Sequence, residues 1–211
     1  MRIRRQEALR YLGAKAADEG SAALIEGAWK RLQDIAFPRH RTARVTVSLE
    51  GEKLIIGDIR AVSPSLAANL AGCREAYLLG ATLGARVDRE MARLGAVNVA
   101  EAFALQAAAA SVLECYCDDI CEDIAAELKA EGLYLRPRFS PGYGGFSTEH
   151  QSDILRIIDG GRIGMGETSS HMLTPLKSVT AVMGISKQPG ICADNKCKSC
   201  NKADCLFRKD S

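Results

Sequence analysis

The chain has 211 residues, 47% of them hydrophobic, with 28 basic and 26 acidic side chains and a formal net charge of +2. That near balance, with only 5% aromatic residues, excludes a general nucleic-acid binder, which needs a concentrated basic face and stacking platforms. No apolar run approaches the roughly 20 residues of a membrane span, and a polar helical segment follows the basic start Met1 to Gln6, so the chain reads as cytoplasmic. Eight cysteines in such a protein point to metal, redox chemistry or buried thiols before disulfides.

Residues 4–19 read as a helix, with Leu9, Leu12 and Ala16 on one face. A second helix spans 21–36, with Ser21 as its N-cap, a stripe of Leu24, Ala28, Leu32 and Ile35, and Pro38 as its stop. Thr42–Leu49 alternates, with Ala43, Val45, Val47 and Leu49 on one side, and reads as a strand. A turn at 50–52 returns the chain as a second strand, Lys53–Ile59, in a hairpin. Ser63 and Pro64 form an N-cap and first-turn pair for a short helix to about Leu70. Glu75–Leu79 is a third strand, and Leu83-Gly84 leads into a helix with Val87, Met91 and Leu94.

The longest helical pattern runs from Asn98 to Lys129 and is rich in alanine, which suits a central helix. Thr148 is placed to cap a further helix, with Gln151 as its capping-box partner, and Asp159-Gly160-Gly161 ends it. Arg162–Thr168 and Ser178–Ser186 read as two more strands. Strands and helices come in pairs and hairpins rather than in regular βαβ alternation, so the expected fold is α+β with a mainly antiparallel sheet. The expected organisation is one domain over residues 1–187 and a short cysteine-rich tail over 188–211.

Between the long helix and the next one lies Arg136-Pro-Arg-Phe-Ser-Pro-Gly-Tyr-Gly-Gly-Phe146. Its prolines and glycines exclude regular helix and make it a shaped loop. Two arginines, a tyrosine and glycines that admit close backbone approach suit a small, polar, partly anionic ligand, although a plain connection would use the same turn residues. The tail carries Cys192, Cys197, Cys200 and Cys205, spaced C-x4-C-x2-C-x4-C. Four thiols so close in sequence converge on one metal at small closure cost. The first three repeat a ferredoxin spacing, which tips the choice slightly to iron–sulfur, while four thiolates also suit tetrahedral zinc and two disulfides or four free thiols are the plain alternative. Cys115, Cys117 and Cys121 on the long helix, and Cys73, read as core thiols. The three histidines, His40, His150 and His171, form no metal-binding or triad pattern, and no Gly-x-Gly-x-x-Gly follows an early strand.

The run Arg138-Phe-Ser-Pro-Gly142-Tyr143 resembles the Arg-x-x-x-Gly-Tyr motif of the activation domain of vitamin B12-dependent methionine synthase. The segment from Met172-Leu173 through Pro175, Lys177 and Ser178 to Ile185 is similar to that family too, and the likeness runs from about Ser111 to Ser186. The resemblance is to free-standing members. It implies a curved antiparallel sheet flanked by helices, bound S-adenosylmethionine, and support for reductive methylation of a corrinoid whose cobalt has lapsed from Co(I) to Co(II).

On that resemblance, Arg138 clamps the ligand carboxylate, backbone around Ser140 reads the adenine, Gly142 lets the loop approach, and Tyr143 offers its ring or hydroxyl. An acidic residue on the preceding helix faces the ammonium or sulfonium charge: Glu114, with Asp118 as the alternative. No Asp-x-His motif supplies a lower cobalt ligand, so cobalamin belongs to a partner, a corrinoid-binding methyltransferase such as a methionine synthase lacking its own activation domain. Flavodoxin or a ferredoxin-like protein is the implied electron donor, and the cysteine tail, a departure from the fused domain, offers a built-in alternative. Two other readings stand beside this one: an iron–sulfur protein that reduces corrinoid proteins without S-adenosylmethionine, and a zinc-stabilised binding module.

Overall fold

The computed structural model describes residues 1–13, 19–50 and 53–189. A six-stranded sheet forms its frame. The strands are β1 (Arg39–Glu50), β2 (Lys53–Ile56), β3 (Ile59–Val62), β4 (Glu75–Thr82), β5 (Tyr134–Leu135) and β8 (Ser178–Ser186). They lie in the order β3-β2-β1-β4-β8-β5, and every neighbouring pair is antiparallel. A separate two-stranded ribbon joins β6 (Gly166–Glu167) to β7 (Leu173–Thr174).

β4 and β8 are central and buried on both faces, which is why both read as nearly continuous apolar runs. Leu79, Ala81, Ala181, Met183 and Ile185 face one core, shared with α1 (Arg5–Tyr11), α2 (Glu19–Ile35), α4 (Ala85–Val97) and α5 (Val99–Ala130). Ala76, Leu78 and Val182 face the other, closed by α3 (Pro64–Asn69), α6 (Gln151–Ile157) and the aromatic rings of Phe139 and Phe146. The α+β, mainly antiparallel expectation therefore holds.

α5 is 32 residues long and begins at Asn98, whose side chain accepts from the Glu101 amide at 3.2 Å. Its buried alanines 104, 107, 108 and 109 bring α2 close, with Ile25, Ala28 and Leu32 in the same core. No helix among the described residues is long and apolar enough to cross a membrane.

Several expected boundaries change. The first predicted helix is described only as α1, and α2 starts at Glu19, so Ser21 lies inside it rather than capping it. The predicted strand Lys53–Ile59 is two strands, because Gly57, at φ 61, turns the chain and lets Ile56 pair with Ile59. β4 runs on to Thr82 because β1 and β8 pair with it along its whole length. Thr148 does not cap α6. Ser147 accepts from the Glu149 amide at 3.2 Å, Thr148–His150 form one tight turn, and Gln151 turns inward instead. There its Oε1 accepts from the buried Thr180 hydroxyl at 2.6 Å. Of the predicted strand Arg162–Thr168 only Gly166–Glu167 is a strand, β6; Arg162 and Ile163 belong to a 3₁₀ turn, Gly160–Ile163, between left-handed Asp159 and Gly164.

Ser63 is fully buried and serves two partners: it accepts from the Leu66 amide at 3.1 Å and donates to the Gly144 carbonyl at 2.8 Å. It thus caps α3 and anchors the glycine loop to it. Ser63→Ala is expected to lower stability by about 1–2 kcal/mol in urea unfolding, with Ser63→Thr closer to wild type.

Candidate functional site

The Arg136–Phe146 loop continues β5 along the outer edge of β8. The Arg136 amide donates to Gly184 O at 2.7 Å, and Phe139 and Val182 exchange both of their backbone bonds at 2.9 Å. Past Val182 no strand among the described residues pairs with that edge. There Ser140-Pro141 lead the chain away into a knot in which Gly142 N donates to Phe146 O at 2.7 Å and Phe146 N to Tyr143 O at 2.9 Å. Gly142 has φ 94, a region open to glycine. Gly144 has φ 53, and a Cβ there would stand 2.5 Å from Ser65 Cβ and 2.9 Å from Phe139 Cζ. No other residue fits that place.

Consecutive residues of an extended chain point to opposite faces. Phe139 accordingly enters the core beneath the sheet, and Arg138 reaches toward α5. The Nη2 of Arg138 donates to Glu114 Oε2 at 2.9 Å and to Asp118 Oδ1 at 2.7 Å. The two acids are four residues apart on α5 and share a face. Burial works against the Arg138 charge, but the surrounding Cys117, Glu114, Cys121 and Asp118 outweigh it and raise its pKa.

Both predicted acids, Glu114 and the alternative Asp118, are therefore brought to Arg138. Ser140 is half-buried next to it, Gly142 is exposed, and Tyr143 stands 71% exposed at the loop tip. Three candidates thus line one charged wall, and Ser140, Gly142 and Tyr143 follow on the loop beside it.

Two contributors escaped the sequence. Arg4 binds Asp118 Oδ2 through Nη2 at 2.5 Å, and Ser111, one turn before Glu114, holds the Arg4 backbone. A hydroxyl inside an otherwise apolar alanine run was the available signal for Ser111; the basic N-terminus gave no hint of its destination. The predicted metal ligands Cys192, Cys197, Cys200 and Cys205 lie outside the described residues. Among the described residues no group of three or more histidine, cysteine or acidic side chains is arranged to hold a metal.

Cys117 is fully buried on the core face of α5, and Cys121 donates toward Met183 Sδ at 3.5 Å. Burial pushes the Cys117 thiol up to about 12 and Cys121 up to about 11, with Arg138 pulling the other way. Both are core thiols, as their sequence context suggested.

No family model matches the chain, and no curated protein matches it. Among solved structures, the fold is similar to that of the MetH reactivation domain bound to AdoHcy, with a TM-score of 0.61 over 83% of this chain and 68% of that one. Sequence identity across the match is 15%, so what is shared is the fold.

Because nucleophilicity needs the thiolate, Cys117 and Cys121 are expected to stay unmodified by iodoacetamide at pH 8 in the folded protein and to react once urea unfolds it. Peptide mass analysis reads this directly; rapid native modification of Cys117 would contradict its burial.

Proposed function

We propose that this protein binds S-adenosylmethionine at the Arg138 loop and supports reductive methylation of a corrinoid carried by a partner methyltransferase. One observation carries the reading. A guanidinium and two carboxylates, each bonded to it within 2.9 Å, form one wall beside a glycine loop of the Arg-x-x-x-Gly-Tyr pattern. That charge set complements a zwitterionic amino acid, whose carboxylate seeks the guanidinium and whose ammonium seeks an acid. The similar fold of a domain solved with AdoHcy supports the same ligand class, although a fold alone does not carry a function.

In this reading Arg138 takes the ligand carboxylate, Glu114 the ammonium, and backbone near Ser140 the adenine, with Tyr143 at the rim. The ligand supplies an electrophilic methyl group to reduced cobalt on the partner. The residues here bind, orient and exclude water; none acts as a nucleophile. The partner is a corrinoid protein without an activation domain of its own. Electrons come from a flavodoxin or ferredoxin-like donor, or from a metal centre on Cys192, Cys197, Cys200 and Cys205.

Calorimetric titration of anaerobically prepared protein with S-adenosylmethionine is expected to show one site. Arg138→Ala removes a charge-assisted clamp and is expected to raise Kd roughly 10- to 100-fold; unchanged affinity would overturn the site. For the tail, metal analysis of the wild type is expected to find bound metal that Cys197→Ser loses. Iron with sulfide supports an internal electron source, and zinc excludes one.

A further inference from the structure

The N-terminal arm reaches the same wall. Ser111, fully buried on α5, holds Arg4 by both backbone groups: the Arg4 amide donates to Ser111 Oγ at 3.1 Å, and Ser111 Oγ donates to Arg4 O at 3.1 Å. Ala8, fully buried, and Ile3 pack in the same core as α5, and Arg2 forms an ion pair with Asp119. Arg4 is therefore a fixed group, even though its side chain is 48% exposed.

Its position divides the two acids. Asp118 lies between two guanidinium groups, with Arg138 on Oδ1 at 2.7 Å and Arg4 on Oδ2 at 2.5 Å. Glu114 meets Arg138 alone at 2.9 Å and no other cation among the described residues. Both acids bond to one nitrogen of Arg138, and no partner of its Nη1 or Nε is found among the described residues. A ligand carboxylate arriving at that guanidinium meets two resident carboxylates, and like charges this close repel strongly. The conflict resolves only if one of them has another cation to rest on. Asp118 has one and Glu114 does not.

We propose that Arg4 is a positioning residue of the ligand site: it holds the charge of Asp118, which frees Arg138 for the carboxylate of a zwitterionic amino-acid group and Glu114 for its ammonium. The inference rests on the proposed binding of S-adenosylmethionine. Without ligand, Asp118 acts as a stand-in carboxylate on Arg138; with ligand, it rests on Arg4. The N-terminal arm thereby belongs to the site, although some hundred residues separate it in sequence from the acids it serves.

The test is a double-mutant cycle read by calorimetric titration with S-adenosylmethionine, using wild type, Arg4→Gln, Asp118→Asn and the double variant, with thermal melts to confirm folding. Arg4→Gln is expected to raise Kd roughly three- to tenfold, the range for a partly exposed charge at a binding site. Arg4→Lys should recover part of that loss. In the Asp118→Asn background, where no charge needs holding, Arg4→Gln should change nothing. An equal loss in both backgrounds would show that Arg4 supports the fold of the wall and would overturn the proposal, as would unchanged affinity in Arg4→Gln alone. Failure of the wild type to bind S-adenosylmethionine is a separate result, visible before any variant is made, and would overturn the underlying reading together with this one.

Discussion

β8 is buried on both faces, yet its outer edge is paired along only part of its length. β5 and the bridge at Phe139 cover the edge from Ser186 to Val182, and no strand among the described residues covers it beyond. An unpaired edge inside a compact fold is a liability unless something short and irregular takes it over. The Arg136–Phe146 loop leaves the sheet where that cover stops. Its geometry follows from this constraint: prolines that break the ladder, a bridge that holds Phe139 in the core, and glycines that let the chain knot back against α3. Arg138 reaches α5 because Phe139 is fixed in the opposite direction.

The electrostatics of the wall follow from the same placement. α5 passes over the sheet with a core face of Cys117, Ile120, Ile124 and Leu128, which leaves Glu114 and Asp118 on a flank. Two carboxylates one turn apart repel and need cations from outside their own helix. Arg138 comes from the loop and Arg4 from the N-terminal arm. Three chain segments distant in sequence thus supply one charge balance, and the hydroxyl of Ser111 fixes the most remote of them.

Much of the frame could be read from the sequence because its signals are local. The alternation of Ala43, Val45, Val47 and Leu49 marked β1, Ser63-Pro64 marked the start of α3, and the alanine run from Asn98 marked α5. The readings that failed depended on tertiary contacts or on competition between local rules. Gly57-Asp58 was hidden inside a run rich in isoleucine, although a two-residue turn between apolar segments is itself a hairpin signal. Gln151 matched a capping box by spacing, but the buried Thr180 hydroxyl claimed its side chain. In the site, Arg138 stood out because unusual residues surround it in sequence. Nothing local distinguished Arg4 from the other basic residues near the start, since its role depends on where α1 docks.

The opposed directions of Arg138 and Phe139 restrict how this loop can vary in length. A single residue gained or lost between Leu135 and Phe139 would exchange the two side chains, burying a guanidinium beneath the sheet and lifting an aromatic ring onto the acids of α5. A change between Phe139 and Gly144 would pull Gly144 off Ser65, where only a residue without a side chain fits. Insertions compatible with this architecture are therefore confined to the stretch after Phe146, in the approach to α6. Chains that share the fold should keep the spacing from β5 to the glycine knot constant.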